Sequence, residues 1–204
     1  MTLPDRIKLP FAFDPKRLAA DLAALSDEAW IAHFVTQNFE GDWSVLPLRG
    51  TAGATHPVMQ IYSDPNAVEF SDTPLLARCP YFREVLTRFE CPLQAVRLMR
   101  LTPGSIIKEH RDHDLRIEDG AARIHIAVVT NPQVEFEVNR RPVVLETGSA
   151  WYLRLSDPHR VANRGTTDRV HLVIDAAANN WLRDLLCSAA GASSISTPGA
   201  GANH

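Results

Sequence analysis

Gln94-Ala95-Val96-Arg97-Leu98-Met99-Arg100-Leu101, then Thr102-Pro103-Gly104, then Ser105-Ile106-Ile107-Lys108-Glu109 reads as a strand, a turn and a second strand. From Leu93 onward apolar residues come in short runs with a period of two, and Pro and Gly punctuate them. The pattern continues through 123–130, 134–138, 142–145, 150–155, 159–163 and 169–175. Between these runs stand Asn131-Pro132, Asn139-Arg140, Glu146-Thr147-Gly148, Ser156-Asp157-Pro158 and Arg164-Gly165-Thr166, each with good turn chemistry. About eight short strands without intervening helices predict a mainly β chain, a sandwich or jelly roll, and not a parallel α/β sheet.

Outward from this core the pattern is mixed. Residues 14–25 predict a helix, with Asp14 as N-cap, Pro15 in the first turn, and Leu18, Leu22 and Leu25 at helical spacing. A second helical stretch covers 75–89 and is interrupted near Pro80. Between the two, 39–64 is rich in Gly, Pro and aromatics and reads as irregular strand and loop. A last helix is expected over 179–190. The expected organisation is one domain over 1–190: a mixed α/β part (1–92), the jelly-roll core (93–176) and a C-terminal helix (177–190). The small, polar stretch 191–204 is expected to be a disordered tail.

Composition narrows the function classes. The chain has 204 residues, 45% apolar and 22% charged, ordinary for a soluble globular protein with one sizeable core. A net charge of -3 argues against a strongly basic nucleic-acid or membrane-surface binder. No run approaches the roughly 20 apolar residues of a membrane span, and the N-terminus lacks a secretory pattern. Cys79, Cys91 and Cys187 are odd in number and form no CxxC pair, so reduced, mostly buried thiols and a cytoplasmic location are expected. The oligomeric state stays open.

The segment that carries chemistry is Glu109-His110-Arg111-Asp112-His113-Asp114. On an extended chain His110 and Asp112 point the same way, so one imidazole and one carboxylate can reach one ion. His159, which opens a strand late in the barrel after Ser156-Asp157-Pro158, is well placed as the third ligand. Two histidines and a carboxylate on one face leave the other face open, the ligand set of non-heme Fe(II) oxygenases. Asp114 lies on the same face and is the alternative to Asp112, although the nearer residue closes the tighter chelate. His113 faces away and reads as solvated.

Arg169 opens the following strand and shares a face with His171, while Val170, Leu172 and Ile174 share the other. An arginine lining the barrel is an uncompensated buried charge unless an anion meets it. The distal carboxylate of 2-oxoglutarate is such an anion, and a guanidinium can grip it with two hydrogen bonds. By the same alternation Arg123 and His125 share a face opposite Ile124, Ile126 and Val128. Two readings stand for His125, a satisfied core histidine and a co-substrate contact. His171 reads first as a hydrogen-bonding partner within the barrel.

Arg97-Leu98-Met99-Arg100-Leu101-Thr102-Pro103-Gly104, His110, Arg123-Ile124-His125, Asp157-Pro158-His159 and Arg169 together resemble the aspartyl/asparaginyl β-hydroxylase family, Fe(II)- and 2-oxoglutarate-dependent dioxygenases on a double-stranded β-helix. The resemblance covers roughly residues 94–182. It implies a jelly-roll, cupin-like fold with flanking helices, iron on His110 and His159, and 2-oxoglutarate on Arg169. It also implies that Arg123 and His125 lie against a co-substrate or substrate carboxylate. The family's animal peptide hydroxylases lack a carboxylate where Asp112 stands. The full His110, Asp112 and His159 set looks like the bacterial branch that hydroxylates free amino acids, proline among them.

The expected reaction is therefore hydroxylation of a C–H bond of a small molecule, an amino acid or a derivative of one. It would consume O2 and 2-oxoglutarate and release succinate and CO2. Trp43 and Arg49 fall where a substrate-pocket wall is expected, and Trp43 reads first as core or lid packing. Arg97 is a further substrate candidate or, like Arg100, an ordinary strand arginine. The rivals are a peptide or carrier-bound substrate, a cupin-like metalloenzyme that uses no 2-oxoglutarate, and a binding module without turnover.

Overall fold

The computed structural model describes residues 3–64, 66–113 and 115–195. The N-terminal part contributes β1 (Arg6–Ala12), β2 (Ile31–Ala32), β3 (Phe39–Glu40), β4 (Trp43–Thr51) and β5 (Phe70–Asp72), with helices α1 (Pro15–Ala23), α2 (Pro57–Ile61), α3 (Pro74–Ala77) and α4 (Pro80–Leu86). The barrel strands are β6 (Leu93–Leu101), β7 (Ile106–His110), β8 (Ala121–Val129), β9 (Val134–Val138), β10 (Arg141–Pro142), β11 (Ser149–Leu153), β12 (His159–Asn163) and β13 (Arg169–Ala177). Helix α5 (Asn180–Ile195) ends the described chain.

Two antiparallel sheets result. The larger runs β1-β11-β8-β13-β6-β4-β2, with β5 also on β4, and the smaller runs β10-β9-β12-β7-β3. Alternation sorts each strand's side chains between two cores. Val45, Met99, Leu101, Ala127 and Val173 of the larger sheet meet Ile107, Phe136 and Val161 of the smaller one inside the barrel. Val96, Leu98, Ile124, Ile126, Leu172 and Ile174 point outward and pack under the helices, against Leu18, Phe82, Val85 and Leu186. The jelly roll with flanking helices is thus the architecture found. Alternation leaves Arg97, Arg123, His125, Arg169, His171 and Asp175 on the inner face, all buried.

Local signals explain the helices. Asp14 accepts from the backbone N of Lys16 at 2.8 Å and caps α1, and Pro80 separates α3 from α4 as the sequence indicates.

Three expectations need correction. The stretch expected to be irregular, 39–64, contains the nine-residue strand β4, paired along its length with β6. Pro47 disguised it. This proline sits between the segment paired by β2 and the segment paired by β5, where no neighbour on that side needs its N–H. Of the expected strand 142–145 only Pro142 is in a strand, the short β10 that pairs with β9. Val143 and Leu145 are nonetheless buried in the barrel core. Helix α5 runs to Ile195, past the expected start of the tail at 191, and Ala189 packs in the outer core. Residues 196–204 lie outside the described residues, as does Asp114. The strand β1, which pairs with β11, had no counterpart in the sequence reading.

Cys79 is buried, Cys91 half-buried and Cys187 exposed, each as a free thiol. Among the described residues no helix is long and apolar enough to cross a membrane.

The β9–β10 hairpin turns at Asn139 and Arg140, with φ of 51° and 57°. Asn139 donates from its backbone N to the Pro158 carbonyl at 2.8 Å and from Nδ2 to Asp157 at 2.7 Å. The hairpin thereby holds the turn that leads into His159. Asn suits this conformation and Arg does not, at a steric cost of roughly 1–2 kcal/mol. Glycine's extra unfolded-state freedom offsets about 0.5–1 kcal/mol of that. Arg140→Gly is expected to raise unfolding free energy in urea by up to about 1 kcal/mol. A loss of stability would show that the exposed Arg140–Glu109 contact outweighs the backbone term.

Candidate metal centre

His110 ends β7 and His159 opens β12, and the two are directly opposed across the antiparallel pair. Their rings lie 4.2 Å apart between centroids. Ile107 faces the barrel core, so strict alternation would turn His110, three residues on, outward. A register shift between the His159 and Val161 pairings inserts the extra residue on β7 and brings His110 back to the inner side. Asp112 lies just past the strand, held by its backbone N donating to the Leu155 carbonyl at 2.9 Å.

The chemistry of the donor set suits a divalent metal. His110 Nδ1 is 2.7 Å from the Lys108 carbonyl and His159 Nδ1 is 3.0 Å from the Asp157 carbonyl. A carbonyl only accepts, so each Nδ1 carries the proton and each Nε2 presents a lone pair. Asp112 Oδ1 lies 3.5 Å from His110 Nε2. One ligand atom from each of the three residues falls within 4.8 Å of the others. Burial pushes the His159 imidazole down to about 4, which keeps it neutral and able to ligate. Burial also works to raise the Asp112 carboxyl, but the neighbouring His110 ring and the Arg123 guanidinium outweigh it and hold the group well below the usual range. His113 is exposed, as expected.

Behind the triad lies a buried ion cluster. Arg123 donates from Nη1 to Asp112 Oδ2 at 2.7 Å and from Nε and Nη2 to Asp175 at 2.6 and 2.9 Å. Arg97 donates to the same Asp175 carboxylate and, from Nη1, to the Ile61 carbonyl at 2.7 Å. Arg123 therefore engages acidic side chains of the protein itself, and two of its five N–H groups stay uncommitted. Asp175 was missed in the sequence, although its parity with Arg169 and His171 on one strand was a usable signal.

Arg169 has a different environment. It is 2% exposed, stacks over Phe136 at 5.5 Å, and donates from Nη2 to His171 Nδ1 at 2.8 Å. Among the described residues no carboxylate pairs with it, and its Nε, His125 Nε2 and His171 Nε2 are buried without a hydrogen bond. Burial alone pushes its guanidinium down to about 9. Since arginine only donates, His171 Nδ1 must accept, and its ring proton sits on Nε2. His125 Nδ1, 3.2 Å from the same atom, must then be a donor, which leaves His125 Nε2 as an acceptor. Burial, reinforced by the charge of Arg169, holds both imidazoles neutral. His171 and Phe136 also line a cavity of about 280 Å³.

The remaining candidates separate. Trp43 is buried, stacks on His33 at 3.5 Å, and lies 6.5 Å from the His110 ring. Phe34 and Tyr62 extend this aromatic row to the surface. Arg49 is not brought to the site. It opposes Val96 on the outward face and donates to the Leu93 and Phe70 carbonyls and to Asp72, bracing the sheet edge. Arg100 likewise bonds Ser44 Oγ and lies over Trp30.

A family model described as aspartyl/asparaginyl beta-hydroxylase matches residues 14–179. The L-proline cis-4-hydroxylase of Rhizobium meliloti is 28% identical over 179 residues, covering 85% of this chain and 61% of that protein. The chain thus spans about three fifths of that relative's length. Among solved structures, an oxidoreductase of the 2OG-Fe(II) oxygenase family from Burkholderia pseudomallei is similar with a TM-score of 0.53 at 18% identity, over 86% of this chain and 88% of that one. HygX from Streptomyces hygroscopicus, solved with nickel and 2-oxoglutarate, has a TM-score of 0.53 at 11% identity, over 86% and 84%. At such identities these two establish the jelly-roll fold alone. The sequence match runs through both the N-terminal part and the barrel, and on it the chain belongs to the aspartyl/asparaginyl β-hydroxylase family.

Proposed function

We propose that this protein is an Fe(II)- and 2-oxoglutarate-dependent dioxygenase that hydroxylates a free amino acid or a small acid derived from one. The observation that carries the reading is Arg169, a buried guanidinium with no carboxylate partner among the described residues. Such a charge costs several kcal/mol unless an anion enters beside it. It lies on the inner face of the larger sheet, across the barrel interior from the smaller sheet that carries His110 and His159, and a dicarboxylate between the two sheets could engage both.

In this reading His110 and His159 hold the iron through Nε2 and Asp112 through one carboxylate oxygen. Bound iron would supply dioxygen activation, coupled to oxidation of 2-oxoglutarate to succinate and CO2 and transfer of one oxygen atom to the substrate. Arg169 fixes the distal carboxylate with charge-assisted hydrogen bonds. The neutral His125–His171 pair adds no charge of its own beside Arg169. Trp43, backed by His33, walls the side next to His110 with apolar ring surface and excludes water there. A small apolar side chain suits that wall, and the L-proline hydroxylase among the relatives supports a small amino-acid substrate.

Two outcomes are expected. With Fe(II) and 2-oxoglutarate, one member of a free amino-acid panel should release succinate and yield a product heavier by one oxygen, whereas His110→Ala and His159→Ala should do neither. Silence across the panel would rule out the free amino acid and turn attention to peptide or carrier-bound residues. Arg169→Met should raise the 2-oxoglutarate KM by the loss of about 1–3 kcal/mol of charge-assisted hydrogen bonding, roughly 5- to 150-fold. The same variant should unfold no more easily than the parent, because an apolar side chain replaces an unpaired buried charge. An unchanged KM would remove Arg169 from the co-substrate site.

A further inference from the structure

Asp175 is 2% exposed, and its carboxylate accepts four hydrogen bonds: from Ser63 Oγ at 2.9 Å, from Arg123 Nε and Nη2, and from Arg97. Three of these bonds fall on Oδ2 and one on Oδ1, so protein donors engage both oxygens of the carboxylate. It is also Arg123's direct cross-strand partner, Asp175 on β13 facing Arg123 on β8. That places the guanidinium fork square on the carboxylate and leaves Nη1 turned away toward Asp112 Oδ2. Asp112 consequently has one oxygen committed to Arg123 and the other, Oδ1, beside His110 Nε2.

We propose that Asp175 is the positioning residue of the metal centre, acting through Arg123 to hold Asp112 as a one-oxygen ligand aimed at the two imidazoles. The inference rests on the metal-site reading of His110, Asp112 and His159. Asp112, two residues past β7, has little else to orient it: beyond its backbone bond to Leu155, its side chain pairs only with Arg123 and His110 among the described residues. Without the Arg123 anchor its carboxylate could rotate freely about χ2 and offer either oxygen or both. The same carboxylate seats the segment around α2, since Ser63 bonds it directly and Arg97 bridges it to the Ile61 carbonyl. Tyr62, at the outer end of the aromatic row, lies between those two attachment points.

The alternative is that Asp175 is only a counter-charge for two buried arginines. Cobalt(II) binding to the purified protein, followed by calorimetry and visible absorption without turnover, separates the two. Asp175→Asn alone leaves an excess buried positive charge and serves as the destabilised control. The decisive variant is Asp175→Asn with Arg97→Met, which removes one charge of each sign and leaves Arg123 without its anionic anchor. A positioning role predicts a thermal midpoint close to the parent's but cobalt affinity lower by about 10- to 100-fold, with an altered visible spectrum. Parent-like affinity and spectrum in the folded double variant would reduce Asp175 to a counter-charge and overturn the proposal. If the double variant does not fold, Arg123→Lys provides the test, because a single ammonium cannot span both carboxylates. It should weaken cobalt binding at least tenfold, and unchanged binding would overturn the proposal. Parent protein that binds no cobalt would overturn the metal-site reading itself, a failure distinct from an effect confined to the variants.

Discussion

The pairing of β12 with β7 is the constraint from which the site's geometry follows. His159 opens β12 directly opposite the last residue of β7, His110, and the two rings meet only because the register shifts by one residue along that pair. Apolar partners on both sides pin the register: Val161 opposes Ile107, and on the other edge of β12 it opposes Phe136. A slip by one residue would send these apolar side chains to solvent along with the histidines. The cost of exposing the barrel core therefore protects the alignment of the candidate ligands.

The barrel interior shows two solutions to buried charge. Near the triad, the charges of Arg97 and Arg123 are matched by those of Asp112 and Asp175. Deeper in, Arg169 has imidazole and phenyl neighbours and no anion among the described residues. The first arrangement is balanced in charge and suits a rigid support. The second is energetically incomplete, which is expected of a group whose partner is a ligand and not a residue.

The aromatic row from Trp43 through His33 and Phe34 to Tyr62 joins this interior to the surface. It comes from β4, α2 and the segments around them, the part of the chain whose sequence pattern was least regular. Barrel strands thus supply the charged and ligating groups, while the N-terminal part supplies apolar walls.

Much of the barrel was readable because a two-residue period is a local property. The strands of 134–138 and 159–163, the placement of Arg169 with His171, and the choice of His110 with Asp112 as candidate ligands follow from alternation and turn residues. The helix cap at Asp14 and the break at Pro80 are equally local. What alternation could not determine was non-local pairing. It took β6 to make a regular strand of 43–51 despite Pro47, and a register shift to face His110 inward. Arg49, expected at the pocket, was turned outward by the shift in pairing between Pro47 and Arg49. Asp175 became the partner of Arg97 and Arg123 only when β13 lay between β6 and β8. The sequence by itself determined which residues could share a face; tertiary pairing decided which faces meet, because cross-strand contact depends on register between segments far apart in the chain.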